Sequence, residues 1–111
     1  MTESAEALKT APPLDRAAVL AEVRTVMAPR LAVPDETASR RHTEIMSGML
    51  RALLDVTDGE QREAVRLMRR CAVRLLNAPP ASDATPFTAW QYLLNLARTT
   101  QALLALEGSR Q

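Results

Sequence analysis

The sequence predicts an all-α protein, a small bundle of about four helices that dimerisation or partner docking completes. Two observations lead to this prediction. Hydrophobic residues make up 47% of the chain and aromatic residues only 3%, so the core is built mainly from Ala, Leu, Val and Met, of which Ala, Leu and Met are good helix formers. Apolar residues also recur at helical spacing in four segments, and no segment keeps the two-residue alternation of a strand.

The length of 111 residues fits one domain. We expect a flexible N-terminal tail over 1–13, a single helical domain over 14–107 and a C-terminal tail over 108–111. The N-terminus lacks the pattern of a signal peptide, and no stretch approaches the roughly 18 apolar residues of a membrane span. One cysteine allows no intrachain disulfide. A cytoplasmic location is the resulting expectation, and the arginine-rich, lysine-poor composition is typical of GC-rich bacterial genomes.

The first two helices are predicted over about 15–28 and 35–57. Asp15 is the N-cap of the first, Asp35 belongs to the start of the second, and Gly59 marks its end. The second helix has one apolar face, formed by Ile45, Met46, Met49, Leu50, Leu53 and Val56. Its other face is predicted to carry a salt-bridge ladder of Arg40, Glu44, Arg51 and Asp55.

The third and fourth helices are predicted over about 60–77 and 86–107. Thr85 can cap the fourth, with Pro86 at its first position. The third helix has an apolar half and an arginine-rich half. The arginine half is a candidate face for an acidic partner, and its members are Arg62, Arg66, Arg69, Arg70 and Arg74.

Three interpretations of this arginine face remain open. It is a solvated face, or one paired with carboxylates of neighbouring helices; it binds an acidic protein; or it binds nucleic acid. Nucleic acid is the least favoured, because a helix-turn-helix would bring the acidic start "DGEQRE" towards the phosphates. The aromatic residues that base stacking requires are also not beside these arginines.

The fourth helix is apolar over about 220° of its circumference, whereas a helix with one face on a core needs an arc of about 100° or somewhat more. Either this helix lies at the centre of its own bundle, or one side of it contacts another chain. Because Trp and Tyr are enriched at interface cores, we expect self-association or docking through this helix. The candidate interface residues are Phe87, Trp90, Tyr92, Leu93, Leu96, Thr100 and Leu103.

Catalytic, cofactor and metal sites are not expected. One His and one Cys cannot form a zinc site with His and Cys ligands. His42 and Cys71 both lie on apolar helix faces, where a thiol is usually inert. His42 and Glu44 point about 160° apart and cannot share a metal. His42 is interpreted as a half-buried residue bonded to a backbone carbonyl, or as a pH-responsive or partner-contacting one.

In its size, its Ala/Arg/Leu-rich helices over 15–107 and the apolar face of "FTAWQYLLNLARTTQALLAL", the chain resembles the small all-helical antiactivators of proteobacterial quorum sensing. The resemblance implies a non-enzymatic regulator that binds a LuxR-type transcription factor and blocks its dimerisation or DNA binding. No functional residue is carried over from it. The partner is expected to be a protein, the chain itself as a homodimer, or both, with no membrane and no cofactor. The alternative is a homodimeric bundle that binds nucleic acid or another acidic partner through the arginine face.

Overall fold

Three of the four helices begin where a side-chain oxygen replaces a missing backbone partner. In the computed structural model, which describes residues 14–109, the side chains of Asp15, Asp35 and Thr85 each accept a hydrogen bond from the amide three residues further on. The donor–acceptor distances are 3.0, 2.8 and 3.1 Å respectively. Such a bond satisfies one of the free N–H groups of the first turn. These sequence-predicted helix starts are confirmed.

The chain forms four helices, as predicted, and has no strand over the described range. They are α1 (Arg16–Met27), α2 (Glu36–Val56), α3 (Glu63–Leu76) and α4 (Pro86–Gly108). The predicted bounds of α1, α2 and α4 agree with these to within one residue. The all-α, four-helix fold class is therefore confirmed.

Both predicted tails lie largely beyond the described residues. The segment 1–13 and the last two residues fall outside them. Within the predicted tail 108–111, Gly108 is instead the last residue of α4, and Ser109 follows as its C-cap with an amide bonded to the carbonyl of Ala105 at 3.1 Å.

Helix α3 begins three residues later than the sequence pattern predicts. Gly59 has a φ of 82°, which a residue with a side chain rarely adopts, and the amide of Glu60 donates to the carbonyl of Thr57 at 3.1 Å. This turn occupies the start of the predicted helix. Arg62 then stands at the N-cap position without a capping bond from its side chain.

Helix α4 lies at the centre of the bundle and packs against the three other helices. Its buried residues surround most of its circumference, and they are Leu93, Leu94, Leu96, Ala97, Thr99, Thr100, Leu103 and Leu104. A helix with neighbours on several sides needs a wider apolar arc than one that lies on a single core face. Its 220° arc is thus accounted for within the chain.

The apolar face of α2 is turned relative to the prediction. Met46, Leu50 and Leu53 are fully buried, whereas the side chains of Ile45 and Val56 are 39% and 37% exposed. The centre of the buried arc lies between Met46 and Leu50, and Ile45 and Val56 lie about 90–110° from it. They are therefore at the edge of the core rather than inside it.

No helix within residues 14–109 combines the length and the apolar character that crossing a membrane requires.

Candidate functional site: the arginine face of α3

The predicted docking surface on α4 is mostly inside the bundle. Leu93 is 2% exposed, and Leu96, Thr100 and Leu103 are completely buried. The hydroxyl of Thr100 donates to the carbonyl of Leu96 at 2.7 Å, so it is satisfied within its own helix. The interpretation of these four residues as an interface is wrong for the folded chain, because α1, α2 and α3 already cover them. A partner could reach them only by opening the bundle.

The aromatic residues of α4 divide between the bundle and the surface. Trp90 and Tyr92 are half-buried, and the Tyr92 hydroxyl donates to the carbonyl of Leu75 at 2.7 Å. Burial raises the pKa of Tyr92, and the positive charge of Arg51 opposes this. Phe87 is 54% exposed and meets Trp90 edge-on, with ring centroids 6.2 Å apart. Of the seven predicted interface residues, Phe87 is the most accessible.

Arg62 connects the start of α3 to the end of α4. One of its guanidinium nitrogens donates to the carbonyl of Leu106 at 2.8 Å, and another donates to the hydroxyl of Ser109 at 3.3 Å. Its Nε also pairs with Glu60 at 3.2 Å. The carbonyls of a last helical turn lack intrahelical partners and carry partial negative charge, which a cation stabilises. Arg62 therefore has a structural role in the folded chain, as in the interpretation that pairs this face with neighbouring segments.

Arg69 has the same role at the end of α2. Its guanidinium donates to the carbonyl of Leu54 and, at 2.7 Å, to the hydroxyl of Thr57, and it lies 3.6 Å from the carboxylate of Asp58. Thr57 is buried, so this bond holds a polar group inside the bundle. Arg69 is the second residue of the predicted face that the fold itself uses.

Arg16 makes bonds of the same kind as Arg62 and Arg69, since all three bind the end of a helix that has no basic residue in its own last turn. Neither α2 nor α4 has a basic residue in its own last turn, whereas α1 has Arg24 and α3 has Arg74. Arg16 of α1 donates to the carbonyl of Leu104 at 3.1 Å and pairs with Glu107. Both helices without a terminal base thus receive arginines from neighbouring segments of the chain.

The remaining arginines of α3 point away from the bundle. Arg66, Arg70 and Arg74 are exposed, and none of their side chains forms a hydrogen bond or ion pair within residues 14–109. They follow one another four residues apart, a rise of about 6 Å each. Glu63, three residues before Arg66 on the same helix, forms no ion pair within residues 14–109 either. We call Arg66, Arg70 and Arg74 the outer arginines.

Exposed apolar side chains accompany the outer arginines. Leu67 is 50% exposed and Val73 is 45% exposed. An open groove of about 770 Å³ runs along this face, lined by Arg66, Arg69, Arg70, Val73, Arg74, Asn77 and Ala78. The sequence reasoning missed Leu67 and Val73, although the helical wheel shows Val73 within about 20° of Arg66 and Leu67 at about 100°. The face can offer positive charge and apolar contact together.

His42 lies at a second polar position, between α1 and α2. Its Nδ1 is 2.6 Å from a carboxylate oxygen of Glu22, not beside a backbone carbonyl as predicted. Nearby, the hydroxyl of Ser39 and the indole N–H of Trp90 are buried without a hydrogen-bond partner. All but Glu22 line a cavity of about 60 Å³, which is large enough for ordered water but not for a substrate.

The described residues contain no group of three His, Cys, Asp or Glu side chains that could hold a metal ion. Cys71 is half-buried and is a free thiol. The most distinctive arrangement of polar groups on the described surface is therefore that of the outer arginines.

We compared the chain with protein-family models, with curated proteins and with solved structures, and none of them matches it. A function is therefore inferred from the geometry of the chain itself.

Proposed function

We propose that this chain is a non-enzymatic protein-interaction regulator that binds an acidic segment of a partner protein along α3. The single observation that supports this most is the state of Arg66, Arg70 and Arg74. They are exposed and their side chains are unpaired, while Arg62 at the N-cap of α3 and Arg69 within it are engaged in bonds to the ends of other helices. Helix α3 carries four arginines and one glutamate, so its outer face has a strong positive field.

The spacing of the outer arginines defines the partner segment. Carboxylates about 6 Å apart, as at positions i and i+4 of an antiparallel or parallel helix, match the rise between Arg66, Arg70 and Arg74. Arginine binds carboxylates in a bidentate manner and is enriched in interfaces. Leu67 and Val73 favour a segment that also carries an aliphatic or aromatic side chain. The proposed ligand is therefore an acidic amphipathic segment.

A transcription factor is the first partner to examine, because the chain resembles the quorum-sensing antiactivators. In this proposal the regulator covers an acidic surface that the factor uses for dimerisation or for contact with its own partner, in the cytoplasm. Nucleic acid fits the face less well. Glu63 lies at the start of α3, the net charge of the chain is +1, and the outer arginines have no aromatic neighbour for base stacking on α3.

The test is affinity capture from the native organism with two charge-matched variants. Arg66→Glu/Arg70→Glu reverses two outer arginines, and Arg24→Glu/Arg98→Glu reverses two exposed arginines on other helices. We expect the first variant to lose a protein that wild type and the second variant retain. Duplex DNA is titrated in parallel at two salt concentrations.

Two results would contradict the proposal. If both variants retain the same partners as wild type, the outer arginines do not bind a protein. If the first variant loses a strongly salt-dependent affinity for DNA instead of a protein, the ligand is nucleic acid. Circular dichroism of both variants controls for folding.

A further inference from the structure

Gly48 occupies a position at which the fold of a single chain gives no reason for glycine. It lies in the middle of α2, it is exposed, and a Cβ added to it would meet no atom within 4 Å. Glycine is among the weakest helix formers, so an alanine here would suit the isolated chain better. A glycine on a helix surface does allow another backbone to approach closely.

The exposed face of α2 is centred on this glycine. Counting about 100° per residue from Gly48, the fully buried Met46 and Leu50 lie near 160°, on the opposite side of the helix. Exposed charged residues lie within about 60° of it, namely Arg41, Glu44, Arg51 and Asp55. None of these four takes part in an ion pair within residues 14–109. Arg40, the remaining member of the predicted salt-bridge ladder, pairs with Glu36 instead, so the prediction of a ladder is wrong.

The four charges of this face are complementary to the same four charges on a second, antiparallel copy of α2. When α2 is laid antiparallel on a second α2 with Gly48 on Gly48, each residue faces the one equally far beyond the centre. Arg41, seven positions before Gly48, then faces Asp55, seven positions after it. Glu44 and Arg51 face each other with an offset of one residue, about 1.5 Å, and lie on the same edge. All of the pairs join opposite charges.

The other edge of the face is apolar, and in the same antiparallel arrangement it packs against the apolar edge of the second copy. Ile45 faces Ala52 of the second copy with an offset of about 1.5 Å, at about 60° and 40° from the centre. Ile45 is 39% exposed. An open groove of about 540 Å³ continues from this edge towards α1, and it is lined by Leu14, Asp15, Ala18, Val19, Ile45, Gly48, Met49, Arg51, Ala52, Asp55 and Val56.

We propose that this face of α2 binds a second copy of the chain in an antiparallel, two-fold symmetric pair centred on Gly48. A two-fold contact requires a surface that is complementary to itself, and the charges on one edge and the apolar residues on the other meet this requirement together. No residue of α3 lines the groove, so the outer arginines stay accessible in the dimer. This dimer contact replaces the one that the sequence predicted on α4.

The first arm of the experiment reverses charges that face each other across the proposed contact. Sedimentation equilibrium measures the molecular mass, and from it the dissociation constant of the dimer. Arg51→Glu places like charges opposite each other twice in the dimer, and it should raise the dissociation constant of the dimer by about tenfold or more. Glu44→Arg/Arg51→Glu restores opposite charges, and it should return the constant to within about threefold of wild type. Arg24→Glu, an exposed reversal on α1, serves as the matched control.

The second arm blocks the close approach. Gly48→Arg adds a long side chain at the centre of the face, where the single chain has free space, so its helix content should equal that of wild type while the dimer is lost. Ala105→Arg, at an exposed position of α4, should leave the dimer unchanged. A wild type that stays monomeric up to about 1 mM overturns the proposal. A dimer that both Gly48→Arg and Arg51→Glu leave intact overturns it as well.

Discussion

In the structure, α4 is enclosed and the arginines of α3 divide into two kinds. The sequence suggests instead that α4 is an exposed docking helix and that the arginine face of α3 is uniform. Helix α4 is apolar around most of its circumference, and it is enclosed by the other three helices. Helix α3 has a simple division into apolar and charged halves, yet its charged half is used in two different ways. The comparison shows that the width of an apolar arc reports how many neighbours a helix has, and not whether it is exposed. It also shows that an arginine-rich face contains both structural and free side chains.

The largest expected effect tests the enclosure of α4. Leu96→Asp puts a carboxylate at a position that is completely buried, where the charge loses its hydration and finds no cation. We expect a loss of about 4 kcal/mol or more in the free energy of unfolding, which is most of the stability of a small domain. Circular dichroism with urea denaturation measures it. A variant that stays folded as a smaller species would instead restore the interpretation of α4 as an interface.

The next effect separates the two kinds of arginine on α3. Arg69→Ala removes the guanidinium that donates to the carbonyl of Leu54 and to the buried hydroxyl of Thr57, and should cost about 2 kcal/mol. Arg70→Ala removes no hydrogen bond or ion pair, and should change the stability by less than about 0.5 kcal/mol. Chemical denaturation of both variants gives the difference. Equal losses would mean that both arginines have the same structural role.

A smaller effect concerns the contact between the two helices themselves. Tyr92→Phe removes the hydrogen bond from α4 to the carbonyl of Leu75 in α3 and should cost about 1 kcal/mol. Because burial raises the pKa of Tyr92 in the folded state, its contribution is complete below pH 10 and is lost as the pH rises above that ordinary value. The stability of wild type should therefore fall more steeply in this range than that of Tyr92→Phe. Parallel slopes would contradict a raised pKa of Tyr92 in the folded state.

The smallest effect concerns the exposed end of α4. Phe87→Ala removes an edge-on contact with Trp90 from a side chain that is already 54% exposed, so we expect a loss below about 1 kcal/mol. Trp90→Ala serves as the comparison, since Trp90 packs against the core, and it should cost about 3 kcal/mol. Thermal melts followed by circular dichroism distinguish the two. A larger loss for Phe87→Ala would show that the first turn of α4 belongs to the core.

The helices and their starts could be predicted because the causes are local. Asp15, Asp35 and Thr85 act on amides three residues away, and a proline or glycine stands near most helix ends. The start of α3 was missed because the turn at Gly59 is followed by three residues, 60–62, that are not helical. These three residues are all polar, so the pattern of apolar residues does not mark where the helix begins.

The candidate site could be predicted only in part. The division of its arginines into structural and free side chains depends on segments that are distant in the sequence. Nothing near Arg62 or Arg69 in the sequence shows that the ends of α4 and α2 lie beside them. Likewise, the exposure of Ile45 depends on how α2 turns towards α4, which a helical wheel of α2 does not contain. What the wheel does contain is the alignment of Arg66, Arg70 and Val73, and the structure leaves all three exposed.

The most direct test of the central claim, that the partner binds α3 and not α4, is site-specific photo-cross-linking in the native organism. A photoreactive amino acid is placed at position 70 on α3 or at position 87 on α4, both of which are exposed. We expect a cross-linked protein from position 70, which disappears when Arg66→Glu/Arg74→Glu is added, and none from position 87. A cross-link to a partner protein from position 87, with none from position 70, would contradict the account.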